Sequence, residues 1–368
     1  MAPTYRSTST LLSAALALAV ATAPTYGQPG AALHSPVSLI EADPHHKGTL
    51  LAGTATSRLF RSRDGGDTWS PLAFPAELRS TLHAILIDPN LPDVYWVAVS
   101  SEIPRFAGLF CSVDEGTTWQ PVPGLERKQV WALAFWKADS HVMAAGTEEG
   151  VYLTRDGGNN WRLLSLPGAA RPHPVVSLTF DPADPNTLYA GTPHLAWKTV
   201  DGGSTWYRIP RGMQEDSDIF SLNVDGKRRN HLFAAACSGI YRSFDGGSTW
   251  VSLEHALGGQ IRTYVVTRAP DRPGAVYAAT SVGLIVSRDG GANWYLLSPN
   301  AARSLAFDTD DPHRIFVATD EGVVRIEEHG AQVRLAGGGV ERSRVPAAML
   351  PRLAAHDSKL DSAPLHQR

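Results

Sequence analysis

The sequence predicts an all-β chain folded as a single seven-bladed β-propeller of four-stranded blades. Three observations carry this expectation: an eight-residue motif that recurs six times, an upstream strand pattern that recurs seven times, and almost no helical periodicity.

The motif copies are SRDGGDTW, SVDEGTTW, TRDGGNNW, TVDGGSTW, SFDGGSTW and SRDGGANW. They end at Trp69, Trp119, Trp161, Trp206, Trp250 and Trp294, spaced 42 to 50 residues apart. A lone Ser/Thr-x-Asp-x-Gly-x-x-Trp is weak, whereas six at near-constant spacing define a repeat. Asp64, Asp114, Asp156, Asp201, Asp245 and Asp289 each follow a Ser/Thr by two residues. A short carboxylate there can accept hydrogen bonds from backbone N–H groups of its own turn, and the glycine two residues later permits positive φ. The tryptophan then folds back to bury its ring. The same aspartate in every blade of a ring cannot converge on one point, so these residues read as structural, not as metal ligands or catalytic carboxylates.

Upstream of each box lies an apolar strand often ending in Asp-Pro, then a turn, a second strand and a short Gly-Thr type loop, as in SLTFDPADPNTLYAGT. Four strands in about 44 residues is the size of one propeller blade. Blades are expected to start at Val37, Leu82, Val130, Val175, Ile219, Ile261 and Ala302, giving seven starts against six boxes. The seventh unit has Glu327, Glu328 and Gly330 where a box would stand, then AQVRLAGG as a fourth strand. Atypical end units are usual in repeat arrays.

The ends of the chain suggest export. Arg6 precedes an uncharged apolar run from Leu11 to Ala23, the pattern of a secretory signal peptide over residues 1–27, too short for a mature transmembrane helix. Residues 28–36 read as a linker, 37–337 as the propeller and 338–368 as a poorly ordered tail. The expectation is a periplasmic or secreted monomer with no transmembrane segment. With 33 Lys+Arg against 36 Asp+Glu, no global field points to nucleic acid. Cys111 and Cys237 fall in the second and fifth units, which a ring holds beyond the roughly 7 Å Cα separation a disulfide tolerates. Both are expected to be buried free thiols.

On these boxes and their spacing, the sequence resembles the BNR/Asp-box superfamily over roughly Val37 to Gly337. The resemblance implies boxes that cap the hairpin between third and fourth strands, on the rim away from the ligand face. Even spacing in one ring is most similar to the photosystem II stability/assembly-factor type of propeller; xyloglucanases, sialidases and sortilin-type domains share the repeat.

If the boxes mark one face, the opposite face carries the loops leading into first strands and those between second and third strands. The lead-in segments contribute Arg79 and His83, Arg127, Lys128 and Trp131, Arg171 and His173, Asp218, Arg262 and Arg303. Most are cationic, predicting a basic patch around the channel mouth that reads an anionic or polar partner. The second set of loops is acidic, with Glu102, Glu148, Glu149, Asp320 and Glu321. The longest insertion, Ser100 to Gly108, presents Arg105 and Phe106, residue types enriched at interfaces. His45-His46 reads as a solvent-exposed pair in a turn.

The function expected from these residues is a non-catalytic scaffold, without cofactor or metal, that binds a protein or polysaccharide over its channel face. The alternative is a glycoside hydrolase of the xyloglucanase or sialidase type. Arg208-Ile209-Pro210 resembles a sialidase arginine motif, but it follows the fourth box, whereas in that family the motif precedes the first. Most glycosidases also need two carboxylates about 5 to 9.5 Å apart; Asp218 with Glu149 is the best pair the sequence offers.

Overall fold

The structure is a computed structural model, described here over residues 32–76, 79–164, 173–228, 230–253, 261–329 and 332–336. The expected signal peptide, the tail from 338 onward and Arg171 lie outside these residues. Seven antiparallel sheets of four strands each follow one another along the chain, and every sheet is built from consecutive strands. The first strands are Val37–Ala42, Ser80–Ile87, Val130–Phe135, Ser177–Asp181, Ile219–Val224, Thr263–Arg268 and Ala302–Phe307. Three blades thus begin two residues from where the apolar runs suggested, at Ser80, Ser177 and Thr263.

Each first strand touches the first strands of both neighbouring blades, and the last touches the first, so these strands ring a central axis. Seven apolar clusters fill the seven gaps between blades. Each middle strand is therefore covered on both faces, and second strands such as LLAGT, MAAGT and LFAAA are buried at every position. Small residues there follow from the close approach of the next blade. A Cβ on Gly191 would stand 2.5 Å from the Ile219 carbonyl oxygen.

Blade 7 closes the ring with four strands of its own, the last being Gln332–Ala336. Its Phe316 and Ala318 pack with Val37, Leu50 and Trp69 of blade 1. Across the same seam Arg325 donates to the Gly65 carbonyl at 3.1 Å and to Asp67 Oδ1 at 2.8 Å. The same clasp recurs inside the ring: Arg61 reaches Glu115 O, Lys198 reaches Gly246 O and Arg242 reaches Gly290 O. Cys111 occupies the equivalent position in blade 2, immediately before the box serine.

The boxes do fill the hairpins between third and fourth strands. In the first, Asp64 Oδ1 accepts from Ser62 Oγ at 2.8 Å and Thr68 N at 2.9 Å, while Gly66 N donates to Ser62 Oγ at 2.9 Å. All six repeat this set. Five of the box tryptophans are buried and Trp161 is half-buried. Two sequence expectations need correcting. Cys111 and Cys237 are free but half-buried: Cys111, on a third strand, packs at the margin of the apolar cluster between blades 2 and 3, and Cys237 lies in a loop. His46 is half-buried, its Nδ1 3.1 Å from Asp43 Oδ2; only His45 is exposed.

Candidate functional site

The end of the channel opposite the boxes is shaped by an irregularity repeated in all seven blades. In blade 2, Leu82 pairs with Val99 and Ala84 with Ala98, leaving His83 as an extra residue in a β-bulge. The extra residues in blades 1, 3, 5, 6 and 7 are Ser38, Trp131, Phe220, Tyr264 and Arg303. In blade 4, Val176 N and the paired Ser177 both meet Gly191, which makes Val176 the equivalent. Bulges break the alternation of a strand and re-aim a side chain, and are frequent at rims and beside sites. All seven of these residues are half-buried. Because the inner strands stand side by side around one axis, they form a crown at the channel mouth.

The crown holds His83, Trp131 and Arg303, three of the residues expected from the lead-in segments, and adds Phe220 and Tyr264, which sequence reasoning missed. Their signal was present: in VSLIEA, LHAILI, VWALAF, VVSLTF, IFSLNV, TYVVTR and ARSLAF the second column is the bulge. His83 Nε2 lies 2.7 Å from Ser100 Oγ, and burial pushes its pKa down to about 4, so the imidazole is neutral at physiological pH. Phe220 and Tyr264 lie with ring centroids 6.2 Å apart. The Arg262 guanidinium sits 5.5 Å over Phe220, and that of Arg303 4.9 Å over Tyr264, whose hydroxyl it also meets at 2.8 Å.

The expected basic patch is not uniform. Arg79 pairs with Glu102 at 3.5 Å, Lys128 with Glu149 at 3.1 Å and Arg303 with Asp320 at 3.4 Å. In each case the acid comes from the loop between second and third strands of the same blade, which the topology brings to the same face. Cation and acid lie side by side, so three of the expected charges cancel locally. Arg127 and Arg262 are exposed and have no carboxylate within 4.0 Å among the described residues. Arg127 adopts φ +62° and His173 is exposed.

Asp218 is half-buried, its backbone N–H 3.3 Å from Cys237 Sγ. It stands in blade 5 and Glu149 in blade 3, with blade 4 between them, and Glu149 is already bonded to Lys128 and to Tyr152 Oη at 2.5 Å. On the blade 2 insertion, Pro104–Phe106 form a short 3-10 turn in which Arg105 lies 4.6 Å over the Phe106 ring. No helix among the described residues is long and apolar enough to cross a membrane.

Known proteins share this architecture. The family described as Sortilin, neurotensin receptor 3 (Sortilin-Vps10) matches residues 107–235. No curated protein matches the sequence. A GH74 xyloglucanase from Xanthomonas campestris superposes with a TM-score of 0.65 at 17% identity, over 82% of this chain and 53% of that one. An ancestral GH74 enzyme gives 0.67 at 17% identity, over 84% and 47%. The chain thus spans about half the length of these enzymes. YCF48 from Cyanidioschyzon merolae gives 0.58 at 19% identity, over 80% of this chain and 95% of that one. Identities this low speak for fold alone. With seven consecutive four-stranded blades and six box hairpins, the chain is a seven-bladed β-propeller, the fold it shares with these proteins.

Proposed function

We propose that this protein is an exported, non-catalytic propeller that binds a protein partner over its channel mouth, in the manner of an assembly factor. The observation that carries this reading is the crown: seven bulges set seven different residue types around the mouth, and Arg262, without a carboxylate partner among the described residues, lies over Phe220. A structural repeat has no need to vary one position so widely. Two further facts support it. YCF48, another structure of which is described as bound to D1 peptide, is matched over nearly its whole length at a TM-score of 0.59. The GH74 enzymes are matched over only half of theirs. Export rests on the apolar N-terminal run, and binding of a glycan remains the competing use of the same face.

Arg262 contributes a charge-assisted hydrogen bond to an anionic or polar group, roughly 1.5 to 3 kcal/mol in general. A pull-down from the cell envelope identifies the partner, and a glycan-hydrolysis screen is run beside it. Arg262→Ala with Arg303→Ala weakens partner binding by about tenfold or more, most at low salt where screening is small. Lys227→Ala with Arg228→Ala, on the box face, leaves it unchanged. Loss of binding in the box-face pair alone, or hydrolysis in the screen, overturns the reading.

A further inference from the structure

Below the mouth the channel changes character. Toward its box-bearing end lies a cavity of about 290 Å³ between the inner strands of blades 1, 5, 6 and 7. Its walls are apolar at Leu222, Val266, Leu305 and Phe307, and polar at Asn223 and Thr267. One ionisable group, Glu41, lines it. By strand register Glu41 is level with Leu86, Ala134, Thr179, Asn223, Thr267 and Ala306, so a single charge interrupts a ring of neutral side chains.

The Glu41 carboxylate has no hydrogen bond or ion pair among the described residues. Protein packs closely around the carboxylate, while the residue as a whole is half-buried. Burial pushes its pKa up to about 7; Lys137 pulls it down and Asp43 adds to the rise. Two other cations at this end have carboxylate partners, Arg268 with Asp225 at 3.0 Å and Arg314 with Asp308 at 2.9 Å. A buried carboxylate without donors is costly to keep ionised, and a ligand that supplies donors relieves that cost. An ammonium offers three donors on a compact head, which Glu41, Asn223 and Thr267 can accept, and the apolar walls suit an alkyl stem. A divalent metal such as calcium asks for six to eight oxygen ligands and several carboxylates, which this cavity does not supply.

We propose that the box-side half of the channel binds an alkylammonium group, held by Glu41 with Asn223 and Thr267 and supplied by a free small amine or a partner's lysine side chain. The site lies at the opposite end of the channel from the mouth and does not depend on the reading given for it.

Full-length protein is titrated calorimetrically with n-butylammonium chloride at pH 8 and pH 6, with 1-butanol as the neutral isostere. The amine stays cationic at both pH values, its pKa being near that of lysine, about 10.4. Saturable binding is expected at pH 8, about tenfold weaker at pH 6 as Glu41 protonates, and absent for 1-butanol. Glu41→Gln is expected to bind at least tenfold more weakly and without pH dependence. Equal affinity for the alcohol, unchanged affinity in Glu41→Gln, or no saturable binding up to about 50 mM overturns the proposal; the wild-type arms decide it even where the variant misfolds. An acetylated, amidated Gly-Lys-Gly peptide separates the sources: tighter binding than butylammonium indicates a partner lysine, weaker binding a free amine. Arg262→Ala with Arg303→Ala should leave butylammonium binding intact, so the two readings fail separately.

Discussion

The two ends of the channel are built on opposite rules. At the box end every blade but the last repeats one set of hydrogen bonds within eight residues, and the clasp of a third-strand cation on the next box turn recurs in blades 1, 4, 5 and 7. At the mouth every blade repeats the same backbone bulge and changes the side chain it presents, from Ser38 to Trp131 to Arg303. Repetition of side chains marks what the ring needs to stand; repetition of backbone with varied side chains marks what it presents. Glu41 lies on the box side yet follows the second rule.

The largest test of this contrast is at Glu328, where blade 7 departs from the box. Its carboxylate is 2% exposed and meets Tyr277 Oη, Arg288 and, at 3.1 Å, Arg272. Glu328→Ala leaves these donors without their acceptor and should cost about 3 kcal/mol in denaturant unfolding, the low end for breaking a buried pair because Arg288 is half-exposed. Burial alone would raise its pKa, but the hydrogen bonds from Tyr277, Arg288 and Arg272 and the charge of Arg288 win and lower it. A lowered folded pKa means stability that is present above the ordinary carboxylate range and lost as pH falls through the folded value. A cost under about 1 kcal/mol would show that blade 7 is held to blade 6 chiefly by the apolar cluster between them.

Next comes Asp201→Ala. The carboxylate accepts from Thr205 Oγ1 at 2.5 Å and Thr205 N at 2.9 Å, and sits at the surface, so the expected loss is about 1 kcal/mol. Asp114, Asp156 and Asp201 have pKa values lowered to about 2, in each case chiefly by the side-chain and backbone donors of the residue four positions on. Their contribution is whole above the ordinary value of 3.8 and should disappear as pH falls from there toward 2. Acid titration followed by tryptophan fluorescence checks the window. A folded Asp201→Ala variant with normal melting and lost partner binding would place function in the boxes and end the contrast.

The smallest effect is expected at Glu115, the one box residue that replaces a first glycine. It holds φ +53° while its carboxylate pairs with Arg61 at 3.1 Å and with Arg63. Glu115→Gly relieves roughly 1 kcal/mol of left-handed strain and gives up two partly exposed ion pairs of similar total worth. The net change in melting should stay within about 0.5 kcal/mol. A loss above 2 kcal/mol would make this box a special joint instead of one repeat among six.

Blade number, box roles and the atypical seventh unit were legible because each rests on interactions close in sequence. The Asp64 turn closes on Ser62 and Thr68, and an apolar run bounded by Asp-Pro needs no distant partner to be read as a strand. The mouth was legible only in part. His83, Trp131 and Arg303 were found from their place before or within first strands, but Phe220 and Tyr264 look like core in an apolar run, because a bulge changes which way a residue faces without changing its type. The basic patch was misjudged for the same kind of reason, since Lys128 and Glu149 lie in different loops that only blade topology sets side by side.

The sequence by itself determined the unit: a four-stranded blade of about 44 residues with a self-contained box turn, repeated enough times to close a ring. The tertiary structure decided what the units do together. It paired three cations of the mouth with acids of neighbouring loops, brought seven bulge residues to one rim, and set Glu41 among the neutral residues that line the box-side cavity. Short-range hydrogen bonds and burial patterns write themselves into local sequence. Facing across an axis does not, because residues more than 260 positions apart, such as Glu41 and Phe307, become neighbours only when the ring closes.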